Sequence, residues 1–179
     1  MSEYYEMKIA GLTRKLPICP IDDTLDIAGF IMFSDVEVTV EASKELLKKV
    51  PDFDVILTAE SKGIPLAYEM AKQSGKQYVV ARKSVKLYMV NPISITVKSI
   101  TTSDQQTLYI SEADVENLKG KRILITDDVI STGGSLLALE KLAEKAEGTV
   151  CAKAAVLAEG DASKRDDIIF LEELPLFFK

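Results

Sequence analysis

The sequence predicts an α/β fold with a mainly parallel central sheet flanked by helices. Short apolar runs typical of buried parallel strands recur along the chain at 54–58, 77–81, 122–126 and 149–158. Helical patterns follow the first and third of these runs, beginning near Pro65 and Leu136. The chain has 179 residues, of which 47% are hydrophobic, so we expect a single domain over 1–179.

The N-terminal segment, residues 1–33, is expected to be irregular. Pro17 and Pro20 divide it into short pieces. Short strands are expected there at 5–12 and 26–33. The first clear helix is predicted over 36–50, because apolar residues recur on one face of that stretch.

Two polar turns follow predicted strands. The first comprises Glu60, Ser61, Lys62 and Gly63. It offers a lysine, a hydroxyl, free backbone N–H groups and a glycine, which fit an anion-binding turn and an ordinary strand-to-helix turn about equally well. The second, Arg82 with Lys83, places two cations at the end of a strand, where they face an anionic ligand or form a solvated basic turn.

Residues 84–110 are predicted to contain a hairpin. Apolar and polar residues alternate over 93–97, which is typical of an antiparallel strand. The polar stretch 101–106 would form the turn, and 107–110 would pair back.

The most informative stretch is KRILITDDVISTGGSLLAL, residues 121–139. A buried strand runs to Thr126, and Asp127 and Asp128 lie where it is expected to end. The loop that follows enters a helix, so several free backbone N–H groups and the helix dipole converge on one point. Small and hydroxylic side chains let a phosphate monoester approach closely, and they add donors.

The two carboxylates beside this loop suit the hydroxyls of a sugar or a hydrated magnesium ion. The predicted ligand is therefore a sugar phosphate at the carboxyl end of the sheet. The alternative is a generic strand, an Asp-rich turn and a capped helix with no ligand.

Composition excludes several classes of protein. The net charge is −6, which argues against a nucleic-acid surface, and no apolar run is long enough to span a membrane. The chain contains no histidine, which removes Ser-His-Asp catalysis and histidine-based zinc sites. Only two cysteines occur, Cys19 and Cys151, and they indicate a reducing, cytoplasmic environment.

The run ITDDVISTGGS, residues 125–135, resembles the phosphoribosyl-pyrophosphate signature of the type I phosphoribosyltransferases. The resemblance implies that fold, with a small N-terminal hood at 1–33 and a hairpin lid within 84–110. It implies that the 5′-phosphate of the donor is bound by Val129, Ile130, Ser131, Thr132, Gly133, Gly134 and Ser135. It also implies that the turn at 60–63 binds the pyrophosphate group.

The same resemblance implies roles for the charged residues. Asp127 and Asp128 would hold the ribose hydroxyls near the positive charge that develops on the sugar. Arg82 and Lys83 would neutralise the leaving pyrophosphate, and Mg²⁺ would be carried with the donor. The hood would cover the nucleobase, with Phe30 and Phe33 as candidate contacts. Members of the family form homodimers, so a homodimer is expected.

Within the family, the chain is most similar to the adenine phosphoribosyltransferase-like branch. This implies transfer of phosphoribosyl to adenine, in purine salvage. Xanthine or another purine is an alternative substrate, and a non-catalytic domain that senses phosphoribosyl pyrophosphate is an alternative function. One departure stands out: residues 99–102 occupy the place of the E-Y-G segment in the lid of the adenine enzymes.

Overall fold

The computed structural model describes residues 4–98 and 105–179, apart from the side chain of Lys98. Residues 99–102, and most of the hairpin turn predicted at 101–106, lie outside the described residues. The strands are β1 (Tyr4–Ile9), β2 (Leu12–Pro20), β3 (Leu25–Ala28), β4 (Val55–Ala59), β5 (Gln77–Ala81), β6 (Ile93–Lys98), β7 (Gln105–Ile110), β8 (Arg122–Ile130), β9 (Thr149–Glu159), β10 (Ile169–Leu174) and β11 (Leu176–Phe178). The helices are α1 (Val36–Leu47), α2 (Ile64–Ser74), α3 (Glu112–Leu118) and α4 (Gly134–Lys145), with a short 3₁₀ helix at Gly160–Lys164.

The central sheet is parallel, as predicted, in the order β10-β9-β8-β4-β5. The strand predicted at 77–81 coincides with β5. The prediction that β8 ends before Asp127 was wrong, because the strand continues through both aspartates to Ile130. It does so because β8 keeps its pairing with β9 as far as Ile130 opposite Ala158.

The sheet is covered on both faces. On one face α1 and α2 pack over it, and Leu46 and Met70 are buried there. On the other face α4 and the β6–β7 hairpin pack over it, and Leu108 and Leu139 are buried. Burial on both faces explains why the central strands have nearly continuous apolar sequences. Among the helices of the two described ranges, none has the length and apolar character needed to cross a membrane.

The N-terminal segment forms a sheet, so the prediction of an irregular segment was wrong, although the short strands expected at 5–12 and 26–33 overlap β1 and β3. Strands β1, β2, β3 and β11 pair antiparallel in that order. Ala10 and Gly11 have positive φ angles of 50° and 83°, and this turn closes the β1–β2 hairpin. Pro17 is tolerated because it lies where β2 changes its partner from β1 to β3. The apolar tail of the chain supplies the fourth strand of this sheet.

The predicted hairpin is present, with β6 and β7 paired antiparallel from Ile93 opposite Ile110 to Lys98 opposite Gln105. The end of β5 is joined to it, since the backbones of Arg82 and Tyr109 exchange two hydrogen bonds of 2.8 Å. Helix α3 was not identified from the sequence. Its signal was a capping box, in which the Ser111 and Asp114 side chains bond to each other's backbone N–H groups.

Candidate active site

The site lies between β4 and β8, where the connections of two adjacent strands run in opposite directions along the sheet. The chain continues from β4 to β5 on one side and from β8 to β9 on the other. Backbone pairing between β4 and β8 ends at Leu57 opposite Ile125, and beyond it the Thr58 hydroxyl donates a 2.8 Å hydrogen bond to the Thr126 carbonyl. The loops after these two strands therefore diverge and leave a crevice, which is where open α/β sheets bind ligands.

The loop after β8 forms a small polar cavity of about 60 Å³ at the N-terminus of α4. It is lined by Asp127, Val129, Ile130, Ser131, Thr132, Gly133, Gly134, Ser135 and Leu136. Gly133 has a φ of 82° and precedes the helix without a side-chain cap. The first N–H groups of α4 therefore face the cavity without competition from a capping side chain. All seven residues predicted to bind phosphate line this one cavity.

Two carboxylates adjoin the cavity. The Asp128 side chain is only 3% exposed, and its Oδ2 lies 3.3 Å from Nζ of Lys62. The backbone N–H of Asp128 donates a 2.9 Å hydrogen bond to Oδ1 of Asp127. Burial and the Asp128 carboxylate raise the pKa of Asp127 above its ordinary value. The raised pKa means that Asp127 readily holds a proton near neutral pH, and a cationic group in the crevice favours its charged form.

The turn after β4 lies directly against β8. A Cβ on Gly63 would stand 2.5 Å from the Thr58 hydroxyl oxygen and 3.0 Å from Oδ1 of Asp127. Only glycine allows this approach, which brings the backbone of 60–63 and the side chain of Lys62 to the acidic pair. The peptide bond between Glu60 and Ser61 is cis. Thus the two predicted binding loops meet at the crevice.

Glu60 contacts protein groups instead of facing the cavity. Its carboxylate accepts hydrogen bonds from Nη2 of Arg82 at 3.2 Å and from the backbone N–H of Lys83 at 3.0 Å. The Lys83 N–H and then the Arg82 guanidinium lower the pKa of Glu60. Arg82 also bonds to the hydroxyl of Tyr88. Glu60 therefore positions the end of β5, while the Lys83 side chain is exposed.

A larger groove of about 630 Å³ adjoins the loop after β8, the predicted phosphate loop, at Ser131 and Thr132. The N-terminal sheet and β11 supply its apolar wall, with Ile21, Leu25, Ile27 and Leu176. The end of β9, the 3₁₀ helix and the residue after it supply the rest of the lining, with Glu159, Gly160, Asp161, Ala162 and Arg165. Sequence reasoning missed these residues. The available signal was Glu159, an acidic residue at the carboxyl end of a buried strand, as Asp127 and Asp128 are.

The two phenylalanines predicted to contact a base are not part of this groove. Phe30 is 5% exposed and belongs to the core cluster beneath the N-terminal sheet, so its ring has no free face for a ligand. Phe33 is 47% exposed. The β6–β7 hairpin does reach the site, since the Ser135 hydroxyl donates a 3.2 Å hydrogen bond to Oε1 of Gln106.

Comparisons with known proteins agree with this geometry. Residues 38–173 match the model of the phosphoribosyl transferase domain. A hypoxanthine/guanine phosphoribosyltransferase of Methanococcus voltae is 31% identical over 148 residues, which cover 83% of this chain and 73% of that protein. An adenine phosphoribosyltransferase of Cenarchaeum symbiosum is 37% identical over 119 residues, or 65% of this chain and 66% of the other.

Among solved structures, the adenine phosphoribosyltransferase of Thermoanaerobacter pseudethanolicus is similar to this chain. It superposes with a TM-score of 0.66 at 25% identity, covering 79% of this chain and 82% of that one. The adenine phosphoribosyltransferase of Leishmania donovani superposes with a TM-score of 0.67 over 97% of this chain and 76% of that one, at 20% identity. The second likeness shows the fold alone.

Proposed function

The chain belongs to the phosphoribosyltransferase family, with the type I fold, and from this premise we propose that it is a purine phosphoribosyltransferase. It transfers the phosphoribosyl group from phosphoribosyl pyrophosphate to a ring nitrogen of a nucleobase and releases pyrophosphate. One observation carries this proposal. The phosphate cavity, the acidic pair and the turn with Lys62 meet at the crevice between β4 and β8.

Each part of the crevice suits one part of the donor. The cavity at the N-terminus of α4 suits the 5′-phosphate, because it offers backbone donors and the positive end of the helix dipole. Asp127 and Asp128 suit the ribose hydroxyls, and their negative potential stabilises the positive charge that the sugar develops as the pyrophosphate leaves. Lys62 suits the departing pyrophosphate, since its Nζ is half exposed beside the acidic pair.

Magnesium is part of this proposal as an ion carried with the donor. Oδ2 of Asp128 is buried and forms an ion pair with Lys62, but it accepts no hydrogen bond from the described residues, so it can accept one from a ribose hydroxyl or an ion-bound water. Oxygen atoms of Asp127 and Asp128 are ligands of the type that Mg²⁺ prefers, and the pyrophosphate would supply others. When bound, the ion supplies neutralisation of the leaving group's charge.

Two classes of base are candidates for the acceptor. Adenine is the base expected from the resemblance, and a similar solved structure, at 25% identity, is an adenine phosphoribosyltransferase. Several similar curated relatives are hypoxanthine/guanine phosphoribosyltransferases. Xanthine is a further purine that the assay must include.

Pyrophosphate release from phosphoribosyl pyrophosphate and Mg²⁺ tests the function directly. Adenine, hypoxanthine, guanine, xanthine, orotate and uracil are offered separately, and we expect release with purines only. Chelation of Mg²⁺ with EDTA is expected to reduce the rate to background, and added Mg²⁺ to restore it. Tight binding of the donor with no release for any base would contradict the enzyme and support a sensor of phosphoribosyl pyrophosphate.

A homodimer is also proposed. Exposed apolar side chains are concentrated in the segment after β5 and on the adjacent faces of α2 and β5, at Tyr68, Tyr78, Val85, Leu87, Tyr88 and Val90. Monomers rarely expose such clusters to water. Arg82 and Lys83 lie at the start of this segment, so a partner covering it would also order the cations beside the crevice.

Sedimentation equilibrium tests the dimer. The wild-type protein is expected to have the mass of two chains, and Leu87→Asp to have the mass of one, because a buried charge without a partner is costly at an interface. A single-chain mass for the wild type at micromolar concentration would contradict the proposal.

We place the protein in the cytoplasm as part of the same proposal. Cys19 and Cys151 are both free thiols. Free cysteines are usual in a reducing compartment. Fractionation of the source cells tests this, and recovery outside the cytoplasmic fraction would contradict it.

A further inference from the structure

The groove beside the phosphate loop has the composition of a site that reads a flat heterocycle. Apolar side chains of the N-terminal sheet, β11 and the 3₁₀ helix line it. Three charged side chains, Glu159, Asp161 and Arg165, line the same groove beside Ser131 and Thr132 of the phosphate loop, and Asp161 is almost fully exposed. Apolar walls with a few placed polar groups are typical of small-molecule sites, in which the polar groups set specificity. The inference that follows rests on the proposed function.

Arg165 is held in one orientation by its neighbours. Its Nε and Nη2 donate to the two carboxylate oxygens of Asp167 at 2.8 and 2.7 Å. Asp167 in turn accepts a 2.6 Å hydrogen bond from Lys153, which also donates to Glu140 at 2.7 Å. The remaining nitrogen, Nη1, lies 2.8 Å from the position that a Cβ on Gly133 would take. A fixed donor is therefore presented beside the phosphate loop.

Glu159 offers the complementary group. It is the last residue of β9, one position beyond Ala158, which pairs with Ile130 just before the phosphate loop. Burial raises the pKa of its carboxyl group, and the charge of Lys62 opposes that rise. Glu159 lines the same groove as Ser131 and Thr132. It accepts no hydrogen bond from the residues that the structure describes, so a ligand can use both of its oxygens.

These two groups match one class of purine. Guanine and hypoxanthine carry acceptors at O6 and N7, which suit an arginine, and an N1–H donor, which suits a carboxylate. Adenine carries a donor at C6 and a lone pair at N1, which would face the guanidinium and the carboxylate unfavourably. We propose that Glu159 and Arg165 read the edge of the base and select 6-oxopurines over adenine.

The test compares bases in the wild type and in Glu159→Gln. The wild type is expected to have a kcat/KM for guanine and hypoxanthine at least ~10-fold above that for adenine, because one hydrogen bond to a charged group contributes about this factor. In Glu159→Gln the guanine-to-adenine ratio is expected to fall by ~10- to 100-fold, because an amide can pair with adenine as well. The KM for phosphoribosyl pyrophosphate is expected to stay constant.

Glu116→Gln is the matched control. Glu116 is an exposed residue of α3 that lines neither the groove nor the phosphate loop, so the base ratio is expected to remain that of the wild type. Arg165→Lys is a second variant, which keeps the charge but loses the planar fork, and it is expected to lower the ratio as well. Calorimetric binding of GMP, IMP and AMP gives a readout independent of turnover.

The outcomes separate the two proposals. A preference for adenine in the wild type, or a guanine-to-adenine ratio unchanged in Glu159→Gln, would overturn this inference and leave the proposed function intact. An equal loss for every base would assign Glu159 a structural role and would also overturn it. If no base supports pyrophosphate release, the proposed function fails, and the GMP-to-AMP affinity ratio still decides whether Glu159 reads the base.

Discussion

Asp128→Asn is expected to lower the kcat/KM for pyrophosphate release by ~100- to 1000-fold, with the fold intact. The carboxylate is buried beside the phosphate cavity, where its charge acts on the sugar without screening by water. Removing one preorganised electrostatic group from an active site has an effect of about this size. Asparagine keeps the shape of the side chain, so the circular dichroism spectrum and the oligomeric mass should match the wild type.

Asp54→Asn is the control for this variant. Asp54 pairs with Arg122 at the start of β4 and β8, at the edge of the sheet opposite the crevice. The same chemical change there should leave kcat/KM unaltered. Wild-type turnover in a folded Asp128→Asn protein would remove the acidic pair from the mechanism.

Gly63→Ala should be nearly as damaging, with a fall of at least ~100-fold in kcat/KM and a raised KM for the donor. The new methyl group would stand 2.5 Å from the Thr58 hydroxyl oxygen, which is held in the sheet by its bond to Thr126. Since the strand cannot yield, the turn at 60–63 must move away from Asp127. Misplacement of a binding group by about 1 Å can alone reduce a rate ~100-fold.

Gly120→Ala tests whether the loss of activity in Gly63→Ala comes from the clash at the crevice or from a general loss of stability. Gly120 has a φ of 68° and open space where a Cβ would be, and it precedes β8 at the opposite edge of the sheet. Alanine there should lower the free energy of unfolding by about 1–2 kcal/mol through backbone strain, with kcat/KM unchanged. Thermal unfolding and steady-state kinetics on both variants measure the difference. Full activity in Gly63→Ala would show that the turn does not contact the donor.

The geometry of the predicted phosphate loop could be derived in detail from the sequence because it is local. A strand, a glycine-containing loop and a helix N-terminus are contiguous in sequence, and their backbone N–H groups converge whatever surrounds them. The extent of β8 could not be predicted in this way. Asp127 and Asp128 remain in the strand because β9 continues to pair with it. Nothing in residues 122–130 alone indicates that this pairing extends as far as Ile130.

The N-terminal segment was the largest error, and its cause is also non-local. Its proline residues suggested breaks, yet Pro17 lies at a change of partner, where a missing N–H costs little. For the base contacts predicted from this segment, the sequence alone could not distinguish a ligand contact from a core position. Phe30 is apolar and was equally compatible with a core position, which is where the structure places it.

By itself, the sequence determined the α/β class and the two turns that meet at the crevice, because apolar periodicity and helix N-termini depend on neighbouring residues. Only the tertiary structure decided which distant segments complete the site. Strand β11 pairs with β3, and Leu176 thereby joins Glu159 and Arg165 in lining the groove. Such long-range pairing is set by packing of the whole chain, and no local pattern encodes it.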